Sequence, residues 1–491
     1  MTRGQWQAVA AVAGVAMLLI AGCSNDISPT AYEDFIRRQQ PLASYRSATH
    51  PPGLAGTKDS APATDAQAVP ATSPARETPT TTQPAYVPIG PAEIELTDQS
   101  TLADYLAYAA LHNPQLQSSF AEWQAAREQV PQARSLADPL ATYRLFLMSD
   151  SGDTDKNVYE INQMFPWPGK LRLRGEVASR EAQAARERFD GQRLRLNFTV
   201  QQVYAELYYL QREIGITQQN IDLLAQAEAL ARVRYATSAG GHPDVIRAQV
   251  EQGKLADRLR TLGKLQAPTV ARLNAAMNRP PAAPIAGPTQ LPRIEGELSD
   301  QQLLAIAGQA NPELRAMDQE IAARGHDVAL ARKEYYPDVM LGVGAEDFRV
   351  EDDDEDMVMG MVTVNLPIWY DKLAAGVRQA RWRRLGAVTR RQAMLNDVGT
   401  DVERSLFEFE DAGRKVGLYR DTLLPKAEQG LQASLAAYRT GGVDFQTYLD
   451  AQQTLLEFQL SLERSQADRV QRLAELEMLV GQPLLREDAS P

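Results

Sequence analysis

Cys23 is the single cysteine of this 491-residue chain, so a thiol is available at one place only. No disulfide and no thiolate metal site can be built within the chain. His50, His112, His242 and His326 are the four histidines, and they lie too far apart in sequence to share a ligand-spaced motif. No glycine-rich phosphate loop and no Gly-x-Ser-x-Gly elbow occurs. Carboxylates are the remaining reactive groups. The run Glu351-Asp352-Asp353-Asp354-Glu355-Asp356 reads as a solvated acidic loop, with divalent-cation binding as the alternative. An enzyme would have to draw on acids such as Glu160 and Asp138, whose spacing gives no support for general acid-base work. The expectation is therefore no catalysis, no nucleotide binding, no cofactor and no resident metal. A net charge of -12 also argues against nucleic acid, which would call for a basic patch.

What precedes Cys23 sets what its thiol can do. Arg3 is followed by an uncharged apolar run from Ala8 to Gly22. About 15 residues suit a signal-peptide core, whereas a membrane-spanning helix needs about 20. Leu19-Ile20-Ala21-Gly22-Cys23 has the small-residue cleavage pattern and resembles a lipobox, an ordinary secretory signal being the alternative. Residues 1–22 are read as a signal peptide and Cys23 as the lipidation site. In the lipoproteins that this segment resembles, an Asp after the cysteine favours the inner membrane, so the resemblance implies from Ser24 the outer one. Residues 23–97 are dominated by Pro, Ala, Thr and Ser and read as a tether without a packed core.

An internal repeat organises the remainder. Asn113-Pro114 recurs as Asn311-Pro312, Pro139 as Pro337, Tyr235-Ala236-Thr237 as Tyr438-Arg439-Thr440, and Ala248-Gln249 as Ala451-Gln452, each about 200 residues on. The chain divides into a first repeat at 98–280, a proline-rich linker at 281–298, a second repeat at 299–485 and a tail at 486–491. Each half reads as helix, strand, hairpin, strand, very long helix, turn, helix. The spacing predicts helices over 101–135, 168–238, 243–278, 300–335, 370–440 and 444–480. In the longest, Leu196, Val200, Val203, Leu207 and Leu210 recur at steps of four and three, as do Val398, Val402, Ser405, Phe409 and Ala412. That heptad period predicts knobs-into-holes seams along helices of roughly 105 Å. A hollow helical cylinder fits it, and so does an antiparallel rod.

Strands are predicted over 139–148, 157–164, 337–348 and 357–366, where apolar and other residues alternate. Their length of about 10 suits tilted membrane strands. Four strands cannot close a barrel, and open edges are not tolerated in lipid, so the chain is expected to oligomerise; a trimer would give twelve strands. Polar tips at Ser149 to Lys156 and Glu351 to Asp356 would lie outside the membrane.

Taken together, Asn113-Pro114, Asn311-Pro312, the duplicated element order, Tyr438-Arg439-Thr440-Gly441, Ala451-Gln452 and Gly481-Gln482-Pro483 make residues 98–485 resemble the TolC family of outer-membrane factors. The run Phe165-Pro166-Trp167-Pro168-Gly169-Lys170 is similar to the heavy-metal efflux, CzcC/CusC-like branch. No Met or His cluster legible in the sequence adds to that choice. The resemblance implies a mainly α chain with a small transmembrane β part: a homotrimer with a 12-stranded β-barrel, four strands per protomer, continued by a long periplasmic α-helical barrel. It implies an outer-membrane lipid environment and two protein partners, a periplasmic adaptor (membrane fusion protein) and an inner-membrane pump of RND type. Pro166, Trp167, Pro168, Gly169 and Pro367 would mark the strand-helix junctions. The turns with Gly240, Gly241, Tyr438, Arg439, Thr440, Gly441 and Gly442 would form the tip that docks the adaptor and closes the gate. Asp450 stands at a position like one of the family's gate acids, with Asp244 and Asp444 as further candidates, while Thr447 stands where a second acid often lies. Multidrug efflux and type I secretion remain open beside metal export, and a periplasmic coiled-coil scaffold with soluble hairpins is the rival of another class.

Overall fold

Three of the described helices start where a side chain, that of Asn113, Asn311 or Asp444, takes over orphaned backbone amides. The computed structural model describes residues 31–39, 96–97, 100–146, 156–288, 290–294, 299–350 and 353–484. Cys23, the signal segment and the tail lie outside the described residues. So do most of the first hairpin tip, and Glu351 and Asp352 of the second.

Among the described residues of the segment read as a plain tether is a helix, α1 at Ala31–Gln39, in a separate unit of the chain spanning residues 1–41. Glu33 and Asp34 in its first turn and Arg37 and Arg38 in its last complement the helix dipole, a local signal that the surrounding Pro-rich composition masks.

The main unit begins with α2 (Leu102–His112) and α3 (Pro114–Arg134), then strands β1 (Leu140–Phe146) and β2 (Lys156–Phe165). Next come α4 (Lys170–Ala236) and α5 (His242–Ala276). The second half follows with α6 (Asp300–Ala310), α7 (Pro312–Lys333), β3 (Val339–Val350), β4 (Asp353–Val364), α8 (Tyr370–Leu418), α9 (Leu424–Thr440) and α10 (Phe445–Val480). Two predicted single helices are thus each broken in two. Asn113 takes an extended ψ of 119° before Pro114, and Asn311 a ψ of 120° before Pro312. Proline disfavours a helical residue before it, and the asparagine side chain then caps the next helix. The predicted helix over 370–440 is also interrupted, by a π turn at Tyr419–Leu423 ahead of Pro425. Proline cannot donate to the carbonyl four residues back, and the wider turn accommodates its ring.

α4 has 67 residues, about 100 Å of helix, and packs against α3, α5, α7 and α10. Leu196, Val200, Val203, Leu207 and Leu210 are buried along it, as are Val398, Val402, Ser405, Phe409 and Ala412 along α8. Each large aliphatic side chain so buried contributes about 1.5–3 kcal/mol, which holds helices of this length in place where local propensity would not. No described helix is long and apolar enough to cross a membrane.

The four strands form one antiparallel sheet in the order β1-β2-β3-β4. β2 pairs directly with β3, so strands from the two halves of the chain join at the centre and β1 and β4 are left as edges. Asp353 to Asp356, read as loop, are instead the start of β4, paired with Val350 to Asp347. Continued ladder pairing outweighs the low strand propensity of acidic residues there.

Candidate functional site

The sheet has two chemically different faces. On one, Tyr143, Ile161, Val343, Val358, Val362 and Val364 line up across the register and all are exposed, Val358 by 77% and Val343 by 64%. Water does not favour such a surface, whereas lipid does. The opposite face carries Thr142, Thr363, Glu346, the Arg144–Glu160 ion pair and Asn162, which is only 7% exposed. It also carries Met164, Met340, Met357, Met359 and Met361. A methionine cluster therefore exists, contrary to the expectation from sequence. Pairing brings Met164 opposite Met340, and alternation places Met357, Met359 and Met361 on that same side.

Where β2 enters α4, the motif noted in the sequence forms a clasp between the two halves. Gly169 takes φ of 92° as the N-cap of α4, a conformation that favours glycine. Lys170 is 1% exposed, and its Nζ lies 2.9 Å from Oδ1 of Asp338 and 3.4 Å from Oε2 of Glu334. The amide of Trp167, between Pro166 and Pro168, donates to the same Asp338 oxygen at 2.7 Å, and the Trp167 ring stacks on Tyr336 at 5.1 Å. At the matching junction after β4, Pro367 is followed by Trp369, which is 72% exposed. The two junctions thus differ: Trp167 is held within the chain and Trp369 is open. Asp338 and Tyr336 were missed from sequence because their partners lie in the other half.

At the far end of the long helices, two turns sit over one apolar cluster that includes Ala231, Val245, Leu431, Tyr438, Phe445 and Tyr448. In the first turn Ser238, not a glycine, takes the positive φ of 58°. Gly240 serves by closeness, since a Cβ there would lie 3.1 Å from that of Arg234, and Gly241 caps α5 in extended form. In the second turn Gly441 does adopt a left-handed φ of 83°, and the Gly442 amide donates to Ala437 O at 2.8 Å. Thr440 donates its hydroxyl to Ala437 O at 3.1 Å, and Arg439 is exposed.

The three candidate acids do not converge within one chain. Asp444 is the N-cap of α10, accepting from the Thr447 amide at 2.9 Å and its hydroxyl at 2.6 Å, and those bonds hold its carboxyl below the usual range. Asp450 is exposed and accepts from Gln446 Nε2 at 2.7 Å. Asp244, in the first turn of α5, is the one tied across the tip: the Tyr438 hydroxyl donates to its Oδ2 at a long 3.5 Å. Burial, then the nearby Asp244 charge, pushes the Tyr438 phenol up to about 12. The Arg234 guanidinium lies 4.6 Å over the Tyr438 ring and donates to Ala239 O at 2.9 Å. Arg234, Tyr438 and Asp244 therefore latch one turn to the other. Sequence reasoning missed Arg234, whose only signal is its place beside Tyr235 in the turn. Tyr235, the repeat partner of Tyr438, is 49% exposed, so the latch exists on one side of the repeat only.

These features have counterparts among known proteins. The family model described as "Outer membrane efflux protein" matches residues 303–482. The cobalt-zinc-cadmium resistance protein CzcC of Cupriavidus metallidurans is 22% identical over 382 residues, covering 76% of this chain and 87% of that protein. The outer-membrane channel OprN shares the fold with a TM-score of 0.69 at 17% identity, over 77% of this chain and 89% of its own. CusC, described for its folding and transmembrane channel formation, gives a TM-score of 0.67 at 16% identity, over 78% and 92%. Outer-membrane efflux channels are conduits and not enzymes. With a family-model match confined to its second half and a fold in common over most of its length, the chain is similar to the TolC-type outer membrane efflux proteins.

Proposed function

We propose that the chain is the outer-membrane component of a tripartite efflux system, a gated and passive conduit that carries metal ions out of the cell envelope. The observation that carries this reading is the sheet: one face is dominated by exposed apolar side chains, the other carries the Arg144–Glu160 pair, Asn162, Thr142 and Thr363, and both edges are unpaired within the chain. Edges cannot stay open in lipid. Three copies, each giving four strands, close them as a 12-stranded barrel with the polar face inward. The helices continue the wall as a periplasmic α-barrel, with the two helix-helix turns at its far tip. Exposed Val233, Tyr235, Ile246 and Val250 there fit contact with neighbouring protomers or the adaptor. Asp244, Asp444 and Asp450 from three protomers would surround the axis as the gate. An RND-type inner-membrane pump supplies the energy through that adaptor, and lipidated Cys23 adds an anchor to one the barrel already secures. The likeness to a cobalt-zinc-cadmium resistance protein, and the junction motif at Phe165 to Lys170, support metal ions as cargo over drugs or proteins.

Outer-membrane fractionation combined with bilayer recording tests this. Heat-modifiable trimers that give discrete current steps are expected; a urea-soluble monomer without channel activity would overturn the reading in favour of a periplasmic scaffold.

A further inference from the structure

Five of the twelve methionines in the chain stand on the polar face of the sheet. Packing does not account for them. Met357, Met164 and Met361 are 50%, 42% and 39% exposed on a face that they share with Thr142, Thr363, Asn162, Glu160 and Arg144 and, toward its β1 side, Leu140 and Phe146. Their neighbours leave them room: Gly342 stands opposite Met361 and Gly344 opposite Met359. A Cβ on Gly342 would lie 3.3 Å from the Met361 methyl, and one on Gly344 3.8 Å from that of Met359. The glycines thus let these side chains lie across β3, with the thioethers along the face. Met357, Met359 and Met361 repeat at every second residue, about 7 Å apart along the strand.

We propose that this face is a thioether track for soft monovalent cations of the Cu(I) and Ag(I) class. The inference rests on the reading of the sheet as a barrel wall whose polar face lines the channel. Thioether sulfur is a neutral, polarisable donor that prefers such ions to harder divalent ones. A neutral donor also releases its ion readily, as conduction requires. On the same face Glu160 is already paired with Arg144, so the track does not present it as a trap for divalent cations, and Glu346 stands opposite Met357 at one end of the run. Three protomers would repeat each methionine around the axis, giving stacked levels of weak sites in place of one tight one.

The test uses full-length trimers in planar bilayers in nitrate salt, with Ag(I) as the probe and Zn(II) as the control. Wild type is compared with Met357→Leu/Met359→Leu/Met361→Leu, whose side chains are similar in size, and with the single Met357→Leu variant. All three retain Cys23, so its lipidated sulfur contributes equally to each. The expected result is unchanged current without metal and Ag(I)-dependent current reduction in wild type at concentrations at least tenfold below those needed for the triple variant. Met357→Leu falls between, and Zn(II) does not distinguish the three. Current steps with the same Ag(I) response in wild type and both variants overturn the track alone. Absence of current steps from wild type overturns the conduit reading and the track with it.

Discussion

Asn113 and Asn311, in the two halves of the chain, make the same pair of bonds. Each Oδ1 accepts the amide three residues on, from Leu116 at 2.9 Å and Leu314 at 3.1 Å, and each Nδ2 donates at 2.8 Å to a carbonyl at a long-helix end, Ala276 O or Leu479 O. One side chain thereby satisfies an orphan amide at a helix start and an orphan carbonyl at a helix finish.

Replacing Asn113 or Asn311 by Ala removes both bonds, leaving a carbonyl and an amide unpaired. The expected loss is about 2–4 kcal/mol for each, read as a lower urea midpoint of the detergent-solubilised protein. Serine keeps the cap acceptor and loses the reach to the second helix, so Asn113→Ser should fall between wild type and Ala. Equal midpoints for Ser and Ala would mean that the Ala276 bond contributes nothing.

Gly481, which ends α10, packs against the same Asn311 corner. It has φ of 87°, and a Cβ there would stand 2.4 Å from Ala310 O, whereas at Gly441, with φ of 83°, the nearest atom is the end of the Arg234 side chain at 3.5 Å. Both alanine variants carry the strain of a left-handed residue, about 1 kcal/mol. Gly481→Ala meets backbone as well, so it should lower folded yield far more than Gly441→Ala. Comparable yields would show that the corner relaxes easily.

What the sequence disclosed follows from where each signal lives. The seams of α4 and α8 were legible because heptad spacing is local to one helix, and the Asn-Pro pairs were legible as repeats. Their role as breaks was not, because helical composition runs on past Asn113 and Asn311 and hides the extended residue before each proline. Alternation along one strand already placed Met357, Met359 and Met361 on one side, but the joining of Met164 and Met340 to them needed the register of β2 on β3, and the Lys170–Asp338 clasp needed two segments far apart in the chain to meet. At the tip, the glycines announced a turn, but Ser238 and Arg234 carry much of its geometry.

The clasp itself makes an asymmetric prediction. Removing the anion by Asp338→Ala leaves the Lys170 ammonium almost fully buried, with only Glu334 and the Tyr336 carbonyl at 3.4 Å, and frees the Trp167 amide. Breaking a buried pair in this way costs about 3–5 kcal/mol. Lys170→Met removes the charge that most needs a partner and should cost less, so trimer yield should rank wild type, then Lys170→Met, then Asp338→Ala. The reverse order would place the stabilisation elsewhere in the junction.

Neighbouring residues on β4 test which face meets lipid. Val362 is 69% exposed on the apolar side, and Thr363 follows it on the other. An arginine facing the middle of a bilayer costs about 2–4 kcal/mol, while one facing a watery channel does not. Val362→Arg should therefore reduce heat-modifiable trimer in the outer membrane, and Thr363→Arg should leave it assembled with altered ion selectivity. Equal loss from both would argue against a lipid face and a channel face.

Tyr438 gives a pH dependence whose sign is fixed by its raised pKa. Burial favours the neutral phenol, and the Asp244 charge adds to that preference, so the hydroxyl ionises near 12 in the folded tip against 10.0 for an ordinary tyrosine. The unfolded chain gives up this proton first. The contribution of Tyr438 to tip stability is therefore complete below pH 10, declines between 10 and 12, and is lost above that. Subtracting the tyrosinate absorbance titration of Tyr438→Phe from that of wild type isolates this one group. A difference curve centred near 12 is expected, moving down in Asp244→Asn as the negative charge is removed. A midpoint at the ordinary value in wild type would mean that the Tyr438 ring is not enclosed by Phe445 and Tyr448, and that the latch between the turns does not form.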